Sequence, residues 1–234
     1  MAMSFGTRST SGFGPGNRYG YGGQQLTRDE SRGVFGQVMG LVALTFGALG
    51  LGAYIARNLT GGTGIVFFLL AFGCVFGLQF ASARGREQLA IALLLGMGLF
   101  FGLALGPVLA FYASADPAAV YEAAGCTAGF IAIMGCYGYA TRRDLSAYAR
   151  TFFWALIALI VFGLIATFIA VPGGNVIYCI LGLVIFAFFT AFDFQRLRSS
   201  NMTMTVPIAA SIFLDIFNVF LLFLSLFGGG GNRR

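Results

Sequence analysis

Phe188-Phe189-Thr190-Ala191-Phe192-Asp193-Phe194-Gln195 and Ser211-Ile212-Phe213-Leu214-Asp215-Ile216-Phe217-Asn218 each place one carboxylate inside an apolar run, 174–195 and 204–227 respectively. A bilayer span needs about 20 residues at about 1.5 Å of rise each, and both runs reach that length. A charged carboxylate at the centre of the hydrocarbon costs about 3 kcal/mol to insert. Such residues therefore face a bundle interior and commonly mark an ion or proton path.

The composition agrees with a membrane setting. Of 234 residues, 58% are hydrophobic, 9% are charged and 27 are Phe, whereas soluble domains carry about 25% charged residues. The chain reads as an all-α integral membrane protein with one transmembrane domain. Its net charge of +6 then reports topology rather than nucleic-acid binding. There is no His, and all 14 basic residues are Arg. The absence of Lys excludes a retinal Schiff base, and the absence of His excludes Ser-His and His-Glu-x-x-His chemistry. It also excludes an imidazole pH sensor. The four cysteines, Cys74, Cys126, Cys136 and Cys179, lie in apolar runs and are expected to pack as small hydrophobes rather than form disulfides.

Seven apolar runs are predicted as spans, at about 34–56, 63–82, 88–113, 118–140, 151–171, 174–195 and 204–227. They are preceded by a polar segment, 1–33, read as a flexible cytoplasmic tail. The expected organisation is thus a tail, 1–33, and a seven-helix domain, 34–228. The seventh run is interrupted by Asp215 and Asn218, and a re-entrant hairpin is the alternative there. For seven spans, 11 Arg fall on the side of the N-terminus, including Arg84, Arg142, Arg196 and Arg198, and 3 on the other. The N-terminus is therefore expected in the cytoplasm. Gly36-x-x-x-Gly40, Gly98-x-x-x-Gly102-x-x-x-Gly106 and Gly125-x-x-x-Gly129 are small-residue stripes of the kind that let helices approach closely within one chain. Pro107 is expected to kink the third span. Tyr148 and Trp154 fit an interfacial belt.

On a helix, Ser211, Asp215, Asn218, Leu222 and Ser225 share one stripe, surrounded by Ile, Phe, Leu and Val. A helix of that kind belongs at the centre of a bundle. Thr190 and Asp193, three apart, are neighbours on the sixth span. If Asp193 and Asp215 face each other, repulsion and desolvation make it costly to ionise both, and the pair is expected to share a proton. Protonated, it is a latch between two helices. Deprotonated, it repels and offers the hard oxygen ligands that Ca²⁺ takes. The plainer readings are a local ion pair of Asp193 with Arg196 or Arg198, and a structural hydrogen bond for Asp215. Arg84 is a candidate counter-charge for the pair, or simply an anchor at the membrane surface. Glu122, near the outer end of the fourth span, is a candidate for attracting cations. Two aspartates on consecutive spans also occur in aspartyl intramembrane proteases, but here Ile212-Phe213-Leu214 precedes Asp215 and the glycines of that motif are missing. An enzyme is therefore not expected, and no cofactor is.

Phe192-Asp193-Phe194-Gln195 with the basic residues that follow, Leu214-Asp215-Ile216-Phe217-Asn218-Val219-Phe220, Arg142-Arg143-Asp144-Leu145-Ser146, and Gly106-Pro107 with Tyr112 together resemble the transmembrane Bax inhibitor motif family in its bacterial branch, over roughly 32–228. The resemblance implies a seven-helix bundle with the last helix surrounded by the others. It further implies a pH-sensitive calcium leak across the bacterial inner membrane, with Asp193, Asp215 and Arg84 as sensor and gate. Some bacterial relatives are instead associated with regulating a membrane-bound quality-control protease, which makes such a protease the alternative partner, read through the tail. Two positions depart from the family pattern. Phe192 stands where a Tyr is frequent, and 63–82 contains no acidic residue.

Overall fold

The computed structural model describes residues 28–58, 63–168, 173–200 and 204–228. Most of the expected tail, and the tail-borne protease contact with it, lies outside the described residues, as do Arg233 and Arg234. Seven helices follow in order: α1 (Arg28–Ala56), α2 (Thr63–Ala83), α3 (Glu87–Ala115), α4 (Pro117–Ala140), α5 (Ser146–Phe168), α6 (Gly174–Ser199) and α7 (Thr205–Gly228). All seven are long and apolar enough to cross a membrane. A helix meets its backbone hydrogen bonds internally, which is what the hydrocarbon demands.

The chain turns where the sequence supplies a reason. Gly85 and Gly173 adopt φ of 67° and 73°, a conformation that costs glycine nothing. Between α3 and α4 the Asp116 carboxylate accepts from the Ala119 N–H at 3.3 Å, and Pro117 opens α4, where its missing N–H goes unneeded.

Three boundaries differ from the sequence reading by more than three residues, one of them the start of α5, at Ser146 rather than about 151. α1 begins at Arg28 and so takes in the last residues of the predicted tail. α6 continues to Ser199, past the predicted end at 195, because its last turn carries Arg196 and Arg198, which complement the helix C-terminus. α3 runs on through Pro107. The seventh run is one continuous helix of 24 residues, not a hairpin.

α7 is the centre. It packs against α1, α2, α3, α4 and α6, and residues such as Ile208, Ile212, Phe213 and Val219 are fully enclosed. α5 lies outside, against α6. The closest packing joins α1 to α3. A Cβ at Gly98, Gly102 or Gly106 would strike the backbone of Thr45, Leu49 or Ala53, so only glycine permits this approach. The other two stripes do not do this: nothing lies within 4 Å of a Cβ at Gly36, Gly40, Gly125 or Gly129. Instead α4 meets α6 through Gly138, whose Cβ would fall on the Ala191 carbonyl, and Gly135, which faces the Phe194 ring.

The cysteines are all free. Cys179 is buried, while Cys126 and Cys136 are exposed on α4. Tyr148 and Trp154 are exposed on the outward α5, as an interfacial belt requires.

The candidate aspartate site

Asp193 and Asp215 are buried to the same degree, each 5% exposed. α6 and α7 run antiparallel. This brings the last third of α6 beside the first half of α7, and the two carboxyl groups lie close enough for their charges to oppose each other. The site is in the half of the bundle nearer the Arg-rich end.

Their surroundings are unequal. Arg196 Nη1 donates to Asp193 Oδ1 at 3.3 Å, one turn on along α6, so the local ion pair expected as the plainer reading is present. The Ser211 hydroxyl also neighbours Asp193, although it donates to the Ile208 carbonyl at 3.1 Å. Among the described residues no cation pairs with Asp215. Thr190 lies next to it, yet neither Thr190 Oγ1 nor Asp215 Oδ2 completes a hydrogen bond, and both are buried. Buried polar atoms normally find a partner. A proton on one carboxyl would supply the missing donor for this group of oxygens.

Arg84 forms no ion pair with either aspartate among the described residues. α2 packs on α3, and Gly85, with its positive φ, turns the chain immediately after Arg84. The Arg84 guanidinium lies 3.6 Å from the centroid of the Phe80 ring, where it is exposed. Arg196 stands beside Asp193 in the place expected for Arg84.

Of the remaining predicted residues, Asn218 spends its side-chain amide on its own helix, donating to the Leu214 carbonyl at 2.7 Å. Glu122 is exposed on α4 and pairs with no cation among the described residues. No third acidic or cysteine side chain joins Asp193 and Asp215 to form a metal cluster among the described residues.

The sequence reading missed two sets of contacts that frame the site. Gln195 accepts from the Leu145 N–H at 3.0 Å and donates to the Arg143 carbonyl at 2.6 Å. Arg198 donates to the Tyr139 carbonyl at 2.8 Å. Together they tie the α4–α5 connection to the end of α6, within a turn of Asp193. At the opposite end of the bundle Ser225 donates to Asn175 Oδ1 at 2.9 Å, and Asn175 returns a bond to the Ser225 carbonyl at 3.1 Å. The visible signal was a lone polar residue beside each motif, Gln195 after Asp193-Phe194 and Asn175 opening the sixth run. Spacing alone does not say across which helix such a residue reaches.

The sequence model of the family described as "Inhibitor of apoptosis-promoting Bax1" matches residues 31–233. The chain belongs to the Bax inhibitor-1 family. The match takes in both aspartate motifs and all the described helices but the first turn of α1. An "Uncharacterized protein" of Helicobacter pylori is 29% identical over 164 residues, 70% of each chain. One of Deinococcus radiodurans is 30% identical over 175 residues, 71% of this chain and 73% of its own. The "Inner membrane protein YbhL" of Escherichia coli (strain K12) is 31% identical over 144 residues, 57% of this chain and 59% of its own. Bax inhibitor-1 membership and the membrane-spanning bundle stand together.

Proposed function

We propose that this Bax inhibitor-1 family member is a pH-gated leak for a cation, calcium in particular, with Asp193 and Asp215 as a proton-sharing latch. The carrying observation is the pair itself: two equally buried carboxyl groups on adjacent helices, with one guanidinium beside Asp193 and an unsatisfied oxygen on Asp215. One proton held between the carboxyls joins α6 to α7. Its loss leaves two charges that Arg196 neutralises only in part, and the helices repel. Acid thus favours the closed state and a rise in pH the open one. Ca²⁺ takes 6–8 oxygen ligands, more than two carboxylates supply, so the pair suits an ion in transit rather than a resident metal. The Arg bias supports a cytoplasmic N-terminus, and the name of the Escherichia coli relative supports the inner membrane. Nothing in this reading calls for catalysis.

The test is purified protein in calcium-loaded liposomes, with efflux measured across pH. Flux should rise with pH. Asp215→Asn and Asp193→Asn should each leave it nearly independent of pH, and the double variant should go no further than either single one, because the two act as a unit. Absence of flux at every pH rejects the channel. Strictly additive effects of the two substitutions reject the latch.

A further inference from the structure

At the Arg-rich end, α1 and α4 scarcely touch, and a cleft of about 430 Å³ separates them. Its floor is Phe194 of α6, its walls are Phe35 of α1 and Gly135, Cys136 and Tyr139 of α4, and Arg32 stands at its mouth. The Phe35 ring reaches across to the edge of Tyr139, with centroids 5.9 Å apart. Gly135 lets α4 rest on the Phe194 ring, where a side chain would press against it. The volume falls in the range of small-ligand sites.

We propose that this cleft binds one anionic phospholipid, with an acyl chain between Phe35, Cys136 and Phe194 and the headgroup phosphate on Arg32. Three features select this occupant. The lining is apolar and opens sideways between two spans, where lipid chains are the surrounding solvent. The one charged group is a guanidinium at the membrane-surface end, and its planar fork suits a phosphate. Among the described side chains, which begin at Arg32, no carboxylate pairs with it, and a second guanidinium, Arg198, is held close by through its bond to the Tyr139 carbonyl. A neutral lipid would fill the cleft but bring no anion to Arg32. A partner helix would have to fit past the Phe35–Tyr139 contact.

The site is read by tryptophan quenching. Trp154 is the only tryptophan, so Phe35→Trp in a Trp154→Phe background puts the sole fluorophore in the cleft. The protein is reconstituted in vesicles containing phosphatidylglycerol or phosphatidylcholine with brominated acyl chains. Brominated phosphatidylglycerol should displace neutral lipid with about fivefold preference, the factor expected from one basic residue at the surface. Arg32→Gln should bring the preference close to unity, and Cys136→Phe, which fills the cleft, should reduce quenching by either lipid. Alkylation of Cys136 in the otherwise unaltered chain gives a second readout. Phosphatidylglycerol should slow it relative to phosphatidylcholine, while Cys126, exposed on the same helix but outside the cleft, reacts equally in both. Equal quenching by both lipids, or alkylation of Cys136 that ignores lipid charge, makes the occupant a neutral chain and overturns the proposal. Failure of either lipid to quench means that the cleft is closed or filled by protein, and overturns it as well.

Discussion

The two sides of α7 are held by different means. On one side α1 and α3 meet backbone to backbone along a seam of four glycines, Gly52 on α1 and Gly98, Gly102 and Gly106 on α3. On the other, α4, α5 and α6 are joined by close glycine contacts, Gly138 on the Ala191 backbone and Gly135 and Gly163 on the Phe194 and Tyr178 rings, by the Phe152–Phe188 stack at 3.9 Å, and by side-chain hydrogen bonds from Gln195 and Arg198. The first side is a fixed wall. The second depends on polar side chains at the membrane surface, and it carries Asp193. Hydrogen bonds that water can replace at the surface are easier to give up than backbone packing in hydrocarbon.

The comparison is broken most directly at the wall. Gly102→Ala sets a methyl group on the Leu49 carbonyl and should cost about 3 kcal/mol in thermal unfolding of the detergent-solubilised protein. Gly36→Ala, at a glycine with open space around it, should change stability by less than about 1 kcal/mol. Equal effects of the two would remove the distinction between the glycine stripes.

On the other side Gln195→Ala removes both ties to the α4–α5 connection and should cost about 1–2 kcal/mol. It should also raise proteolysis in residues 141–145 while leaving the α1–α3 side unaltered. Unchanged cleavage there would mean that the connection is held by something other than Gln195.

Arg196→Gln sharpens the role of charge. A nearby cation favours ionised carboxylates, so removing it should move the midpoint of any pH-dependent flux upward by about one unit, discounted from a larger value because the arginine is partly exposed. Arg84→Gln should leave the midpoint where it is. A shift with Arg84 and none with Arg196 would reverse the assignment made from the ion pair.

The smallest effect belongs to Asp144, in the α4–α5 connection outside the spans. The hydroxyl and N–H of Ser146 hold its carboxyl below the ordinary carboxylate range, the N–H bond being 2.9 Å. A group whose pKa is lower folded than unfolded stabilises the fold above its unfolded value, and loses that contribution as pH falls through the folded one. Asp144→Ala should therefore cost a little stability at neutral pH and nothing in strong acid, as thermal unfolding at the two pH values will show.

How much of this was legible in the sequence follows from which interactions are local. Span number and type were, because about 20 apolar residues have one answer in a bilayer. The centrality of α7 was too, because one polar stripe on an otherwise apolar helix needs protein around it. The helix ends were less so, since Arg196 and Arg198 look like loop residues until helix polarity is considered. Among the glycine stripes the spacing at Gly36, Gly98 and Gly125 is the same, but only the stripe at Gly98 is used. Which face of a helix meets another is decided by the partner and not by the stripe. The cation beside Asp193 is a related case: position at a helix end does not show that the Arg84 guanidinium lies over the Phe80 ring, whereas Arg196, one turn from Asp193, needed no tertiary knowledge.

The reciprocal bonds between Asn175 and Ser225 give α6 and α7 a fulcrum. Asp193 lies 18 residues along α6 from Asn175, a lever arm of about 27 Å at about 1.5 Å per residue. A tilt of about 5° around that point carries the Asp193 carboxyl through about 2 Å, most of a hydrogen-bond length. The far end barely moves, so a displacement large enough to unmake one contact at the pair asks almost nothing of the packing at the other face of the membrane.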